Sequence, residues 1–277
     1  MAGRRGKNLR EGDLAEGIGL ELLRSFTAVA PVPRTEDTGV DAVCTLLRPS
    51  GRFLLAEDSF LVQIKAASVR TLEFIDDDYT WLLQLKLPIF LASVNLKDAV
   101  VDFHTLQRAV DRVDDQWRGV SAYLDSLTVD DGDDYDHGPN VHDGIHQIYL
   151  GPPVLRWSAV EAATEEFRQR AYTVTKQWVA WEETNLKMRP YKCCNVPSWR
   201  TNEGPEWSHS RYDSVLTPGL MQDFGSRFGA TMIALVQDCT TTEATAILRF
   251  IEFLRSRRIR ANEIEAVELM LQRRLAQ

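Results

Sequence analysis

Leu14, Ile18, Leu22 and Leu23 recur at helical spacing and predict a helix over 10–25. Pro31 and Pro33 end that region. An apolar, β-type run predicts a strand over 40–47, and Pro49-Ser50-Gly51 is a turn signal. Residues 60–66 predict a second strand, so 40–66 reads as a hairpin with a somewhat long connection. Residues 79–87 form a short helix or strand, broken by Pro88. The apolar run 89–94 fits a buried central strand, and 100–103 another short strand. Helix, strand, strand, helix, strand describes a small α/β unit.

The composition then shifts. Asp130, Asp131, Asp133, Asp134 and Asp136 crowd together with Gly132 and Gly138, which predicts an exposed loop or linker. The second half has mainly helical patterning. Ser158 with Glu161 matches a capping box that opens helical pattern to about Lys187. Thr240 with Glu243 opens a helix to about Arg258, and Asn262 with Glu265 the last one. The Trp-, Pro- and Asn-rich stretch 189–218 has no period and is expected to be an ordered loop, because Trp199, Trp207 and Tyr212 are costly to leave in water. The expected organisation is an α/β domain over 1–120, an acidic linker over 121–157 and a mainly helical region over 158–277.

Hydrophobic residues make up 44% of the 277 and charged residues 26%, so a core of normal size can form. The net charge of −8 and pI of about 5.2 rule out a uniformly basic coat for nucleic acid. Phosphate contact would have to come from local patches: Arg4, Arg5, Lys7 and Arg10, or Arg255, Arg257, Arg258 and Arg260. Both patches also read as solvated chain ends. Four cysteines without a C-x-x-C pair suit a reduced, intracellular protein. With no apolar segment after the basic start and no long apolar run, the expectation is a cytoplasmic protein that does not span a membrane.

Candidate chemistry lies in Phe60-Leu61-Val62-Gln63-Ile64-Lys65. On a strand, Phe60, Val62 and Ile64 share the core face, while Gln63 and Lys65 point together to the other. An amide beside an ammonium on an apolar strand is costly unless both find partners. Asp41 opens the preceding strand after Gly39, and Glu16 lies in the first helix. Two carboxylates and an amide oxygen are hard donors suited to Mg²⁺, which keeps several waters. A metal there lowers the pKa of bound water, and a lysine orients the water or neutralises developing charge.

The layout resembles the PD-(D/E)XK restriction-endonuclease-like superfamily. The matching stretches are Gly12-Asp13-Leu14-Ala15-Glu16, Thr38-Gly39-Val40-Asp41 and Val62-Gln63-Ile64-Lys65. Over about residues 8–110 the sequence is most similar to domain-of-unknown-function family 4365, including the leucine-rich segment and proline-led strand Trp81-Leu82-Leu83-Gln84-Leu85-Lys86-Leu87-Pro88-Ile89-Phe90-Leu91. The resemblance implies an α/β restriction-endonuclease-like core, a mixed central sheet flanked by helices. It implies Asp41 as principal metal ligand, Gln63 at the second ligand position, Lys65 as catalytic lysine and Glu16 as assisting metal ligand. Gln63 departs from the commoner glutamate and removes one negative charge. The implied activity is Mg²⁺-dependent (Mn²⁺ can substitute) endonucleolytic hydrolysis of DNA, with a role in defence against phage or foreign DNA.

The alternative is a catalytically weak or inactive module of the same fold that binds nucleic acid or a partner protein. The C-terminal half is then expected to recognise substrate, a partner or a second copy, or to hold the enzyme silent. Weaker signals are His137, His142 and His146 with Asp136 and Asp143, which invite a metal, but Gly138, Pro139 and Gly144 argue against a helix and an exposed polar loop is the plainer reading. Trp199 and Trp207 could stack bases, though packing is the plainer role. Ile247, Phe250, Ile251 and Leu254 have the spacing of a core-facing helix stripe. Neither a Walker loop nor a serine-hydrolase elbow occurs.

Overall fold

The computed structural model describes residues 7–33, 39–110, 117–124, 141–212, 218–237, 239–257 and 259–275. The protein is mixed α/β and divides into two compact units, one of residues 1–189 and 193–212, the other of 190–192 and 213–277. The chain thus does not divide at the acidic linker expected over 121–157. Helix α5 (Glu165–Met188) is the reason: it buries Phe167, Ala171, Val174, Trp178 and Val179 in the core of the first unit.

In that unit a six-stranded sheet has the order β1-β2-β3-β5-β6-β10. Its strands are β1 (Thr27–Pro31), β2 (Ala42–Ser50), β3 (Phe53–Ala66), β5 (Ile89–Asn95), β6 (Val100–Thr105) and β10 (Leu155–Ser158). Neighbours are antiparallel except β3 and β5, whose parallel pairing requires a crossover. That crossover contains β4 (Thr71–Ile75) and α2 (Asp77–Gln84). β5 is apolar on both sides and buried from Ile89 to Val94, as a central strand should be.

The two faces of this sheet carry separate cores. Phe60, Val62, Ile64, Phe90, Ala92, Val94, Val101 and Phe103 face α1 (Lys7–Leu23) and α5. Gly19 lets α1 approach, since a Cβ there would lie 2.9 Å from Ile64 Cγ2. Ile89 and Leu91 join the opposite core with Tyr79 and Leu82 of α2. A four-stranded sheet, β4-β7-β9-β8, contributes Leu72, Phe74, Val120, Ala122 and Ile148 to it. Its remaining strands are β7 (Gly119–Tyr123), β8 (Val141–His142) and β9 (Ile145–Tyr149).

The β2–β3 hairpin is longer than the sequence suggests, its strands running to Ser50 and from Phe53. A bulge gives β3 one extra residue, because Thr45 pairs with Ser59 and then Leu47 with Ala56. Its alternation inverts there, and the outer ribbon exposes Phe53, Leu54 and Leu55. At the base of the ribbon the Glu57 carboxylate accepts hydrogen bonds from Lys176 Nζ at 2.5 Å, Tyr172 Oη at 2.6 Å and Arg48 Nε at 2.5 Å. These bonds, Lys176 foremost, hold its carboxyl down at about 2.

After Ser158 the helical pattern is interrupted. α4 (Ala159–Ala162) stops, and Thr164 caps α5 afresh by accepting from Phe167 N–H at 3.2 Å. The stretch expected as an unpatterned loop contains a hairpin, β11 (Cys193–Ser198) with β12 (Glu206–Tyr212). In the second unit α6 (Pro218–Leu235), α7 (Thr241–Ser256) and α8 (Asn262–Leu275) bury Val236, Ala244, Ile251, Leu254, Ile264, Val267 and Leu271. The Thr240–Glu243 capping box forms as the sequence predicts. Phe250, expected in the core stripe, is 42% exposed. Among the described residues no helix is long and apolar enough to cross a membrane.

Candidate active site

Gly39 has φ +82°, a left-handed turn that suits glycine, and a Cβ there would meet the Trp81 ring at 3.1 Å. The turn delivers Asp41 to the mouth of β2. Its N–H donates to Val62 O at 2.9 Å, and its C=O accepts from Val32 N–H at 2.9 Å. The antiparallel register Ala42↔Val62, extended by one residue, sets Asp41 opposite Gln63. Asp41 Oδ2 accepts from Ile64 N–H at 2.6 Å, so the carboxylate continues the ladder one step past the end of the strand.

Gln63 and Lys65 alternate with buried Val62 and Ile64 and lie on the face opposite α1. Gln63 Oε1 is buried and has no hydrogen-bond partner among the described residues. Lys65 is half-buried, and its ammonium has neither hydrogen bond nor ion pair among the described residues. The two side chains that a bare strand tolerates least are thus side by side next to a carboxylate. Glu16 differs. It is half-buried on α1, the helix packed on the Ile64 face.

The donor set on the Gln63 face is one carboxylate and one amide oxygen. Both are hard, and Mg²⁺ needs only one or two carboxylates when waters fill its remaining positions. The buried acceptor Gln63 Oε1 calls for a cation or a donor, so the residues fit a hydrated Mg²⁺ held by Asp41 and Gln63. Among the described residues no group of three or more His, Cys, Asp and Glu side chains gathers to hold a metal.

Strand order reveals further polar residues on this face that motif reasoning missed. Lys65 is in register with Ser93, Ser93 with Asp102, and Asp102 with Arg156. The row crosses β3, β5, β6 and β10. Arg156 Nε lies 3.1 Å from Asp102 Oδ1. Burial raises the Asp102 carboxyl above its ordinary value, and Arg156 partly opposes this. His104, on the same face of β6, is buried with Nδ1 unpartnered among the described residues. Burial lowers its pKa to about 4, a hydrogen bond to the Gly151 backbone counteracts, and Arg156 lowers it further. The alternation in Val101-Asp102-Phe103-His104 was the available signal.

His104 carries a pH prediction. Its folded pKa lies below the ordinary 6.5, so the unfolded chain binds the extra proton first. Its stabilising contribution is whole above pH 6.5 and is lost progressively as pH falls to about 4. The loss is on the order of 3 kcal/mol. Urea unfolding across this range should show a slope that flattens in His104→Gln. An equal slope in both proteins would remove His104 as the source.

The lesser signals fare less well. The acidic run and His137 lie outside the described residues. His142 and His146 fall on opposite faces of the β8–β9 hairpin, since Val141 pairs with His146 and His142 with Ile145. His146 is buried against Trp117, and exposed His142 has Nδ1 3.2 Å from Asp143. Trp199 is core, packed on Trp178 and beneath the Arg108 guanidinium, whereas Trp207 is 65% exposed. In the basic patches, Arg4, Arg5 and Arg258 lie outside the described residues. Arg255 is paired with Glu268, and Arg257 lies over the Phe253 ring.

Compared with known proteins, the chain matches no family model, no curated protein and no solved structure.

Proposed function

We propose that this protein is a Mg²⁺-dependent endonuclease with a restriction-endonuclease-like core, hydrolysing phosphodiester bonds in DNA. The observation that carries the reading is the buried Gln63 Oε1, unpartnered among the described residues, between Asp41 and Lys65, whose ammonium also has no partner among them. Asp41 and Gln63 would hold the ion, which when bound acidifies water and neutralises charge on a phosphoryl oxygen. Asp41 is pre-set for this by its bond from Ile64 N–H. Lys65 supplies a fixed positive charge on the same face, suited to orienting the attacking water and to balancing negative charge as the phosphate is attacked. The role of Glu16 as an assisting ligand, and a role in defence against foreign DNA, rest on the sequence resemblance.

The test is supercoiled plasmid incubated with the full chain in Mg²⁺ or in EDTA. Nicking or linearisation in Mg²⁺ alone, absent from Lys65→Ala, is the expected result. Equal cleavage by wild type and Lys65→Ala rejects the assignment.

A second reading has its own support. Gln63 stands at the position where the resembled superfamily commonly has glutamate, so the Asp41–Gln63 pair offers one carboxylate instead of two. A module that binds nucleic acid or a protein without cutting fits such a weakened site. Calorimetric titration with Mn²⁺ separates the two, because an intact fold with no saturable Mn²⁺ binding favours the module.

A further inference from the structure

The row beside the candidate site ends in an arginine whose donors are only partly used. Arg156 lies on edge strand β10, its side chain 60% exposed, with Nε against Asp102 Oδ1. Its two terminal amino groups have no partner among the described residues. The flanking Leu155 and Trp157 point into the core, which fixes the direction of the Arg156 side chain. Asp102, 29% exposed, holds the guanidinium from one side and leaves its fork open. Three strand spacings separate Arg156 from Lys65, about 14 Å. That distance spans a few consecutive phosphates of one strand. Two cationic groups at that separation on one face, with Ser93 buried between them and the Asp102 carboxylate turned to Arg156, suit a polyanion that touches the face at its two ends.

We propose that the face from Lys65 to Arg156 is a track for the sugar-phosphate backbone, with Arg156 gripping a phosphate a few nucleotides from the one beside Lys65. Asp102 is the positioning residue for Arg156. The proposal rests on the nuclease reading of the site and names how its substrate is held. It also explains how a chain of net charge −8 can engage a nucleic acid through a local line of charge.

The experiment is fluorescence anisotropy of a labelled DNA duplex titrated with the full chain in EDTA, repeated over about 50 to 200 mM salt. Arg156→Ala is expected to weaken binding about tenfold and to reduce the slope of log K against log salt by about 0.9. Arg156→Lys keeps the slope because it keeps the charge. Asp102→Asn keeps the slope but weakens binding several-fold, since the guanidinium is no longer steadied. Thermal unfolding of each variant checks the fold, which the edge position of Arg156 protects. Wild-type affinity and slope in Arg156→Ala overturn the track, as does a wild-type chain that binds no DNA. A wild type that binds with the expected Arg156 dependence yet cuts nothing in Mg²⁺ leaves the track standing and removes the nuclease reading instead.

Discussion

Asp41→Asn is expected to lower Mg²⁺-supported cleavage by on the order of 10³-fold, about 4 kcal/mol of transition-state stabilisation. The amide still offers an oxygen to Ile64 N–H, so the end of the ladder stays closed while the charge is gone. Asp41→Ala removes that acceptor as well and adds a stability cost of about 1–3 kcal/mol. The difference between the two variants separates the electrostatic role from the structural one. Gln63→Glu restores a second negative charge and is expected to tighten Mn²⁺ binding. Plasmid-nicking rates, with Mn²⁺ titrations of the same preparations, are the measurements. An Asp41→Asn protein that cuts at the wild-type rate would remove Asp41 from the site.

Trp157→Ala is expected to cost about 3–5 kcal/mol. Trp157 is 1% exposed, with ring centroids 5.8 Å from Phe26, 6.1 Å from Phe103 and 5.7 Å from Phe167. It ties edge strand β10 to α5 and to the turn between α1 and β1, so the void would open where three parts of the fold meet. A unit of this size should melt about 10 °C lower. Calorimetry or urea unfolding checks it. A loss under about 1 kcal/mol would mean that Phe26 and Phe167 close the space.

Much of the central architecture was legible because it is written in local periods. Leu22 and Leu23 mark α1, and Phe60, Val62 and Ile64 mark the core face of β3. The unbroken run from Ile89 marks a strand buried on both sides, and Ser158 and Thr240 announce their helices through short-range capping. What was hidden is mostly short or set by distant partners. β1 has five residues and ends on Pro31, tolerable because it is an edge strand. β4, β7 and β10 have four or five residues each, below the length at which alternation is distinctive. In β11 the register shifts at Pro197, and the Trp- and Pro-rich composition concealed the hairpin.

The site divides in the same way. That Gln63 and Lys65 share a face follows from period two alone. That Asp41 lies opposite Gln63 depends on hairpin register, which a bulge between Thr45 and Leu47 could have shifted but does not at this end. The side of the sheet on which α1, and Glu16 with it, packs is tertiary information that no local period carries. Ser93, Asp102 and Arg156 come into line only through strand order, with Arg156 more than fifty residues beyond Asp102 in sequence.

The outer end of the β2–β3 hairpin lies beyond the last pairing of β1 with β2 at Leu46 and of β3 with β5 at Leu61. From Leu47 to Ala56 its two strands pair, among the described residues, with each other alone, and such a pair is marginal in water. Its amides can therefore open to solvent without disturbing the cores beneath, and they should trade hydrogen for deuterium well before those of β5. Arg52 at its tip offers trypsin a first place to cut, while the Glu57 anchor marks where such fraying stops.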